Sequence, residues 1–179
     1  MYQMKNIILS LLLAICFVQC HQSLKPMNDR VESNHLKNPY YSRTDKTRLN
    51  VSNTEWKKIL SPDLYAVARE AATEMPFTGQ YYDFDQKGEY YCAVCGNHLF
   101  RSEAKFASSC GWPSFFEADG RGVVYKRDSS HGMERVEVCC QRCDSHLGHV
   151  FDDGPLPTGV RYCMNSICLD FVPDAKKTF

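Results

Sequence analysis

Two pairs of closely spaced cysteines constrain this chain more than any other feature. Cys92-Ala-Val-Cys95 and Cys140-Gln-Arg-Cys143 each place two thiols on one tight turn, and Gly96 suits the turn after the first pair. Two such pairs supply the four thiolates of a tetrahedral zinc site. The 44 residues between Cys95 and Cys140 exceed the gap of roughly 15 to 20 in small zinc ribbons. The sequence therefore predicts one structural zinc ion that joins distant parts of a domain.

The paired cysteines have two other interpretations. An even number of cysteines in an oxidising compartment normally indicates disulfides, but partners three residues apart form strained rings. A redox-active pair of the thioredoxin kind belongs at a helix N-terminus, whereas both pairs lie among strand-like segments. Zinc binding of about 10 to 16 kcal/mol exceeds the roughly 2 to 5 kcal/mol of a structural disulfide, which favours zinc. Cys139 either is a buried residue that packs as a small apolar side chain or pairs with Cys143 at a wider spacing than that of a CxxC motif.

The segments after Pro76 are typical of an antiparallel β protein. Short runs rich in Tyr, Phe and Val are separated by Gly or Asp, a pattern that argues against helices. Two short helices are predicted before them. SNTE at residues 52–55 has the form of a capping box, and Ser61-Pro62 begins a second amphipathic helix that we expect to end near Thr73. The sequence thus predicts a mainly β domain with two short N-terminal helices.

The first 48 residues differ in character from the rest. Residues 1–20 carry one positive charge and then the apolar run IILSLLLAICFV, which is typical of an export signal. FVQC resembles a lax bacterial lipoprotein box with Cys20 as the lipidated residue, and an ordinary secretory signal is an equal alternative. Residues 21–48 are polar and lack an apolar period, as expected of a disordered tether. We therefore expect a periplasmic or membrane-anchored lipoprotein, or a secreted protein, whose domain spans residues 49–179.

The charge balance excludes one class of partner. Lys plus Arg and Asp plus Glu both number 21, so the chain lacks the positive field that draws proteins to nucleic acids or anionic lipids. Nucleic-acid binding is not expected, and membrane contact is expected only through a lipid at Cys20. A chain of 179 residues can build one sizeable core, and we expect a monomer.

RYCMNSICLDF, residues 161–171, raises the question of what Cys163 does. Alternation along a strand puts Arg161, Cys163 and Asn165 on one face, and Cys168 on the other. An ordinary thiol is only about 3% ionised at pH 7, so a nucleophilic Cys163 would need the Arg161 cation to favour its thiolate. Taken alone, a cysteine in such an apolar run is more often a structural core residue.

Two further motifs carry residues suited to chemistry. Cys110 begins the loop CGWPSF, and HLGH holds His146 and His149 around a glycine that argues against a helix. Because the zinc ion already has four sulfur ligands, the two imidazoles are candidates for binding a polar ligand or for passing protons. The ordinary interpretation of Trp112 is core packing.

Five motifs together resemble the methionine-(R)-sulfoxide reductases of the B type. FTGQYYDF, CAVC, CGWPSF, CQRCDSHLGHVF and RYCMNSICLDF occur in the order and approximate spacing of that family over residues 50–173. The resemblance implies two antiparallel sheets and a structural zinc ion held by the four paired cysteines. It also implies reduction of methionine-R-sulfoxide in oxidised peptides or proteins, with recycling by a thioredoxin-like reductant.

The same resemblance implies a role for each candidate residue. Cys163 would be the nucleophile that becomes a sulfenic acid, and Cys110 would resolve it by forming a disulfide. His146, His149 and Asn165 would bind the sulfoxide oxygen and supply protons. Trp112 and Phe151 would form an apolar wall for the substrate methyl group, and Arg161 would stabilise the Cys163 thiolate.

Some positions depart from the family pattern. Ser109 stands where a glycine usually precedes the resolving cysteine, which puts the recycling step in doubt. Cys139 and Cys168 are additional thiols that would be either backup resolvers or inert. A competing hypothesis is a non-catalytic zinc module that binds a protein partner. That hypothesis predicts no thiol with a pKa below about 8, whereas the enzyme hypothesis predicts a depressed pKa for Cys163.

Overall fold

The computed structural model describes residue 35 and residues 37–175. The predicted export signal, with Cys20, and the first part of the predicted tether lie outside the described residues. Among the residues that are described, no helix is long and apolar enough to cross a membrane.

Within the described residues, two short helices precede the sheets, as the sequence predicts. Helix α1 comprises Asn53–Ile59 and helix α2 comprises Pro62–Glu70. The Ser52 hydroxyl accepts a hydrogen bond from the Glu55 amide at 3.2 Å, which satisfies one free N–H of the first turn. The Glu55 carboxylate does not complete the predicted capping box, because it contacts Lys58 at 3.1 Å.

Helix α2 ends earlier than the predicted position near Thr73. Ala71 adopts a left-handed conformation with φ of 55°, which stops the helix after Glu70. The residues that follow therefore run as irregular chain, and part of this segment lies beside the site described below.

Nine strands form two antiparallel sheets in the described part of the chain, which confirms the predicted fold class. The three-stranded sheet has the order β2-β1-β9, and the six-stranded sheet has the order β3-β4-β8-β7-β6-β5. In chain order the strands are β1 (Gly88–Cys92), β2 (His98–Arg101), β3 (Lys105–Phe106), β4 (Ser114–Phe115), β5 (Val123–Asp128), β6 (Arg135–Cys140), β7 (His146–Phe151), β8 (Arg161–Met164) and β9 (Leu169–Pro173).

Aromatic side chains from the two sheets meet in one core. Tyr90 of β1 and Phe100 of β2 both contact Phe115 of β4, with ring centroids 5.0 and 4.3 Å apart. All three rings are buried, and aromatic side chains of this size contribute much of the free energy of burial. The core therefore holds the short strand β4, which follows the Cys110 loop, firmly against the three-stranded sheet.

Residues 38–48 belong to the predicted disordered tether of residues 21–48 but are ordered in the structure, and together with Leu49 they are here called the strap. The Asn38 side chain donates to the Val94 carbonyl at 2.8 Å, and the Ser42 amide donates to the Cys95 carbonyl at 3.0 Å. Both acceptors belong to the first cysteine pair and its turn. The strap needs no apolar period because it is ordered by hydrogen bonds to these backbone groups. The packed part of the chain therefore includes residues before Leu49.

Candidate functional site

Strand β8 presents Cys163 between two neighbouring strands. Cys163 is paired with Ser114 of β4 on one side and with His149 of β7 on the other. Directly opposite residues of antiparallel strands project from the same face of a sheet. Arg161 shares that face by alternation, as predicted, whereas Asn165 lies just beyond the end of β8 and is not part of the strand.

The close approach of β7 to β8 depends on Gly148. A Cβ atom at this position would lie 2.1 Å from the carbonyl oxygen of Cys163. No side chain could be accommodated there without moving the two strands apart. The glycine of HLGH therefore brings His149 next to Cys163.

A small cavity lies against this face of the sheet. It measures about 110 Å³, well below the roughly 300 to 1,000 Å³ of sites for drug-sized ligands. A cavity of this size suits the end of a single side chain. Its lining residues are Thr73, Trp112, Arg135, Gly148, His149, Phe151, Cys163 and Asn165.

The structure brings five of the candidate residues into this lining and leaves three beside it. Cys163, His149, Asn165, Trp112 and Phe151 line the cavity. Its lining does not include His146, Arg161 or Cys110. A much larger cavity of about 770 Å³ is lined by charged side chains such as Arg43 and Arg101, without any cysteine, so its size does not make it the site of thiol chemistry.

Arg161 is held next to the cavity by two contacts. Its guanidinium group forms two hydrogen bonds of 2.8 Å with the Asp153 carboxylate. The same group lies 4.6 Å from the centre of the Phe151 ring, within the range of a cation–π interaction. Arg161 thus orients one wall of the cavity and places a positive charge on the Cys163 side of the sheet.

A carboxylate fixes the ring of His149. Asp128 lies 2.7 Å from Nε2 of His149 and also accepts a hydrogen bond of 2.7 Å from Arg135. Hydrogen bonds from Ser130, then the one from His149, hold the pKa of the Asp128 carboxyl well below its usual range. Asp128 is therefore ionised and restricts the orientation of the imidazole.

His146 occupies a separate, buried position. Its Nδ1–H donates to the Glu137 carboxylate at 2.8 Å, and burial lowers the pKa of the imidazole. The other nitrogen, Nε2, is buried and has no hydrogen-bond partner among the described residues. His146 lines an adjacent cavity of about 290 Å³ that shares His149 and Thr73 with the smaller one.

The two candidate redox cysteines are in contact. The sulfur atoms of Cys110 and Cys163 are 3.6 Å apart, much longer than the bond of about 2.05 Å in a disulfide. Both cysteines are free and partly exposed. The Cys110 sulfur also lies 3.3 Å from the Ser114 hydroxyl and 3.4 Å from the Trp112 carbonyl oxygen. A disulfide between them needs only a small movement of the Cys110 loop.

The ionisation of this pair differs from the prediction of a depressed pKa at Cys163. Burial, followed by the neighbouring Cys110, raises the pKa of Cys163 to about 12, although Arg161 acts to lower it. Burial also acts to raise the pKa of Cys110, but hydrogen bonds with Ser108 and Ser114 outweigh it and lower that pKa to about 7. Two sulfurs in contact do not readily carry two charges. In this arrangement the better hydrogen-bonded Cys110 ionises first.

Alkylation at different pH values tests this order of ionisation. We expect labelling of Cys110 to rise with pH and reach half of its maximal rate near pH 7, because the thiolate is the reactive form. Labelling of Cys163 should lag behind over the same range. Peptide mapping by mass spectrometry after brief exposure to iodoacetamide measures both rates. Faster labelling of Cys163 than of Cys110 at pH 7 would contradict the arrangement described.

The four paired cysteines form a second centre. The sulfurs of Cys92 and Cys143 are 3.7 Å apart, those of Cys95 and Cys140 are 3.6 Å apart, and all four lie within 4.8 Å of one another. A zinc ion about 2.3 Å from four tetrahedral sulfurs would set the sulfur–sulfur distances near 3.8 Å. The donor set and its geometry therefore fit one metal ion.

Each cysteine pair is shaped by a turn of the same design. The Gly96 amide donates to the Cys92 carbonyl at 2.8 Å, and the Asp144 amide donates to the Cys140 carbonyl at 2.9 Å. Gly96 and Asp144 both have positive φ, at 76° and 61°. Gly96 was predicted for this turn, whereas Asp144 adopts the same conformation without being a glycine.

Arg142 connects the metal-binding turns to the strap. Its side chain is only 2% exposed and donates to the Tyr40 carbonyl and to the Asp45 carboxylate, both at 2.8 Å. Its backbone carbonyl accepts from Leu49 at 2.7 Å. Sequence reasoning missed this role, because a CxxC motif does not reveal which distant segment its intervening residues contact.

Comparison with known proteins agrees with this geometry. The SelR domain model matches residues 60–173. The chain is 54% identical over 127 residues to a peptide methionine sulfoxide reductase MsrB of Pseudomonas savastanoi, covering 70% of this chain and 97% of that protein. It is 51% identical over 132 residues to a probable methionine-R-sulfoxide reductase B of Caenorhabditis elegans, covering 72% and 87% of the two chains. The chain therefore belongs to the SelR family, the methionine-R-sulfoxide reductases of the B type.

Proposed function

We propose that this protein reduces peptide-bound methionine-R-sulfoxide to methionine, with Cys163 as the nucleophile. The observation that carries the proposal is the small cavity in which Cys163 faces two aromatic residues, an imidazole and an amide, with a second free thiol 3.6 Å away. The related proteins named above act on methionine sulfoxide, which supports this substrate class.

In the first step the Cys163 sulfur attacks the sulfoxide sulfur. The thiol and the sulfoxide are converted to a sulfenic acid on Cys163 and a peptide-bound methionine, so the oxygen moves to the enzyme and the substrate sulfur is reduced. Cys163 must lose its proton although burial and Cys110 raise its pKa, and Arg161 is the neighbour that acts to lower that pKa. His149, oriented by Asp128, is the group that we assign to hold and deliver a proton at the sulfoxide oxygen.

The cavity accounts for recognition of the substrate. Trp112 and Phe151 supply an apolar wall for the methyl group, and Asn165 supplies a polar group for the oxygen. His146 lies one cavity further away, so we assign it to support of this polar region rather than to direct contact with the substrate.

Separate assays with R- and S-sulfoxide peptides test the proposal. We expect formation of methionine from the R-epimer only, measured by chromatography with dithiothreitol as reductant. When the sulfoxide sulfur faces Cys163, only one epimer can place its methyl group at the apolar wall and its oxygen at the polar side of the cavity. A peptide that contains unoxidised methionine serves as the control. Equal turnover of both epimers, or turnover of the S-epimer alone, would contradict the proposal.

The second step is resolution of the sulfenic acid by Cys110. The Cys110 thiol displaces the hydroxyl group from sulfur, which forms a disulfide and releases water. A thioredoxin-like protein would then reduce the disulfide through two thiols. Cys139 and Cys168 are both buried in the structure, which favours the inert alternative for these thiols.

The Cys110→Ser variant separates the two steps. We expect one equivalent of methionine per enzyme at a rate no lower than that of the wild type, because removal of Cys110 also removes one cause of the raised pKa of Cys163. Continued turnover with thioredoxin should fall to background. Single-turnover and steady-state assays measure the two effects. Steady-state turnover with thioredoxin at the wild-type rate would assign resolution to another thiol.

We assign a structural role to zinc and an exported location to the protein. A zinc ion would cross-link the two cysteine turns, and no catalytic step needs it. The apolar N-terminal run supports export, with lipidation at Cys20 or ordinary secretion as alternatives. Cell fractionation of the full chain and of a Cys20→Ala variant distinguishes them, since only a lipid-anchored protein would move from the membrane to the soluble fraction.

A further inference from the structure

The turn that follows β8 is capped from a distant part of the chain. Ser166–Cys168 forms a single 3-10 turn, and its N-cap residue, Asn165, makes no side-chain capping hydrogen bond. The carboxylate of Glu74 accepts hydrogen bonds from the Ser166 amide at 2.6 Å and from the Ile167 amide at 3.0 Å. Both amides are free N–H groups at the start of the turn, and that of Ile167, the second residue of the turn, is one that an N-cap side chain ordinarily satisfies.

The backbone of Glu74 forms hydrogen bonds with two residues that line the small cavity beside Cys163. Its amide donates to Oδ1 of Asn165 at 3.1 Å, and its carbonyl oxygen accepts from Nε1 of Trp112 at 3.2 Å. The other end of the Asn165 amide donates to the Leu147 carbonyl at 3.1 Å. The Glu74 carbonyl therefore orients the indole, and the Glu74 amide together with the Leu147 carbonyl orients the side chain of Asn165.

The side-chain and backbone contacts of Glu74 meet at one segment, because Asn165, which the Glu74 amide contacts, directly precedes the turn that the Glu74 carboxylate caps. Asparagine is among the preferred N-cap residues, and in that role its side chain turns back to the helix amides. Here Glu74 occupies that position instead, which leaves the Asn165 side chain in the lining of the cavity. Glu74 itself does not line the cavity, so an effect on the reaction would be indirect, and Asn165 and Trp112 are the lining residues that its backbone contacts.

The position of the Glu74 carboxylate is tightly defined. A Cβ atom on Gly79 would lie 2.6 Å from Oε1 of Glu74 and 2.3 Å from the Ser166 hydroxyl oxygen. Burial raises the pKa of the Glu74 carboxyl, while hydrogen bonds from Ser166 and Ile167 act to lower it. A partly buried carboxylate is costly unless it is hydrogen-bonded, and here both oxygens have backbone partners.

We propose that Glu74 is a positioning residue for sulfoxide reduction. By capping the turn after Cys163, it holds the peptide groups that orient Trp112 and Asn165 around the substrate. This inference rests on the proposed function, because the orientation matters only if the cavity binds the sulfoxide group.

Kinetic measurements on Glu74→Ala and Glu74→Gln test the inference. We expect kcat/KM for an R-sulfoxide peptide to fall by about 10- to 100-fold in Glu74→Ala, since misplacement of substrate-binding groups by about 1 Å can cost 100-fold. Glu74→Gln keeps the shape and one acceptor oxygen, so its loss should be intermediate. Glu55→Gln is the matched control and should match the wild type, because Glu55 is a partly exposed glutamate near the start of α1 whose side chain contacts Lys58.

A double-mutant cycle provides a readout that a general loss of stability would not change. If Glu74 acts through Trp112, the effect of Glu74→Gln on kcat/KM should be several-fold smaller in a Trp112→Phe background than in the wild type. Trp56 is the other tryptophan of the chain. For each protein, the emission spectrum of the same protein with Trp112→Phe is therefore subtracted, which leaves the fluorescence of Trp112. We expect a shift of Trp112 emission to longer wavelength in Glu74→Gln and no shift in Glu55→Gln.

The outcomes are distinguishable. If Glu74→Ala fails to fold, Glu74→Gln carries the test. Unchanged kcat/KM and unchanged Trp112 emission in folded Glu74→Gln would overturn the positioning role, even if its melting temperature falls. Equal effects in the two Trp112 backgrounds, without an emission shift, would also overturn it. If the wild type reduces neither sulfoxide epimer, the proposed function has failed by itself, and the emission shift still reports whether Glu74 positions the indole.

Discussion

Replacement of Cys163 by serine should reduce the turnover of an R-sulfoxide peptide by at least about 1,000-fold, as is usual for the loss of a nucleophile. A serine hydroxyl keeps the size and position of the side chain but is far less nucleophilic than a thiolate at neutral pH. It also cannot form the sulfenic acid or the disulfide with Cys110. Chromatographic measurement of methionine in a single-turnover experiment would show the loss directly.

The control for this variant is Cys168→Ala. Cys168 lies five residues further along the same segment but is fully buried in the core rather than in the cavity lining. The control should keep its first turnover. Turnover by Cys163→Ser at the wild-type rate would show that Cys163 is not the nucleophile and would contradict the proposed mechanism.

Replacement of Cys140 by serine should release the metal ion and unfold the domain at ordinary temperatures. Structural zinc sites contribute about 10 to 16 kcal/mol of apparent binding free energy, which equals or exceeds the total stability of about 5 to 15 kcal/mol of a typical domain. The four cysteines connect β1, with the turn that follows it, to the end of β6 and its following turn. Elemental analysis and thermal unfolding followed by circular dichroism would measure the two losses.

Cys139 offers a matched control for the metal site. It precedes Cys140 in the same strand and is also buried, but it is not one of the four clustered cysteines. Cys139→Ala should retain one metal ion per chain and most of the thermal stability. Retention of a full equivalent of metal by Cys140→Ser, with an unchanged melting temperature, would show that the four sulfurs do not form the site. Elemental analysis of the wild type would identify the metal.

Much of the site was predictable because its signals are local. Each CxxC pair forms its turn within five residues, so spacing alone indicates four sulfurs around one ion. Alternation along β8 likewise places Arg161 and Cys163 on one face. The N-caps of both helices also depend on residues three apart. Such features follow from backbone geometry over a few residues, which is what a sequence displays directly.

Other features depended on contacts between distant residues. The ordered strap lacks an apolar pattern, because backbone carbonyls and the side chain of Arg142 hold it. Asp128 and Glu137 lie 21 and 9 residues from the histidines that they contact, and no local motif relates them. Nothing in the motif RYCMN shows that the Cys110 sulfur lies 3.6 Å from that of Cys163 and helps to raise its pKa.

The sequence by itself therefore determined the family, the fold class, the set of metal-binding sulfurs and the cysteines suited to redox chemistry, because these depend on residue type and short spacing. The tertiary structure decided how the site is arranged: which carboxylate orients each imidazole, which thiol lies against Cys163, and how Glu74 connects to Trp112 and Asn165. Those properties arise from distances between residues that are far apart in the chain, and only the packed sheets bring them together.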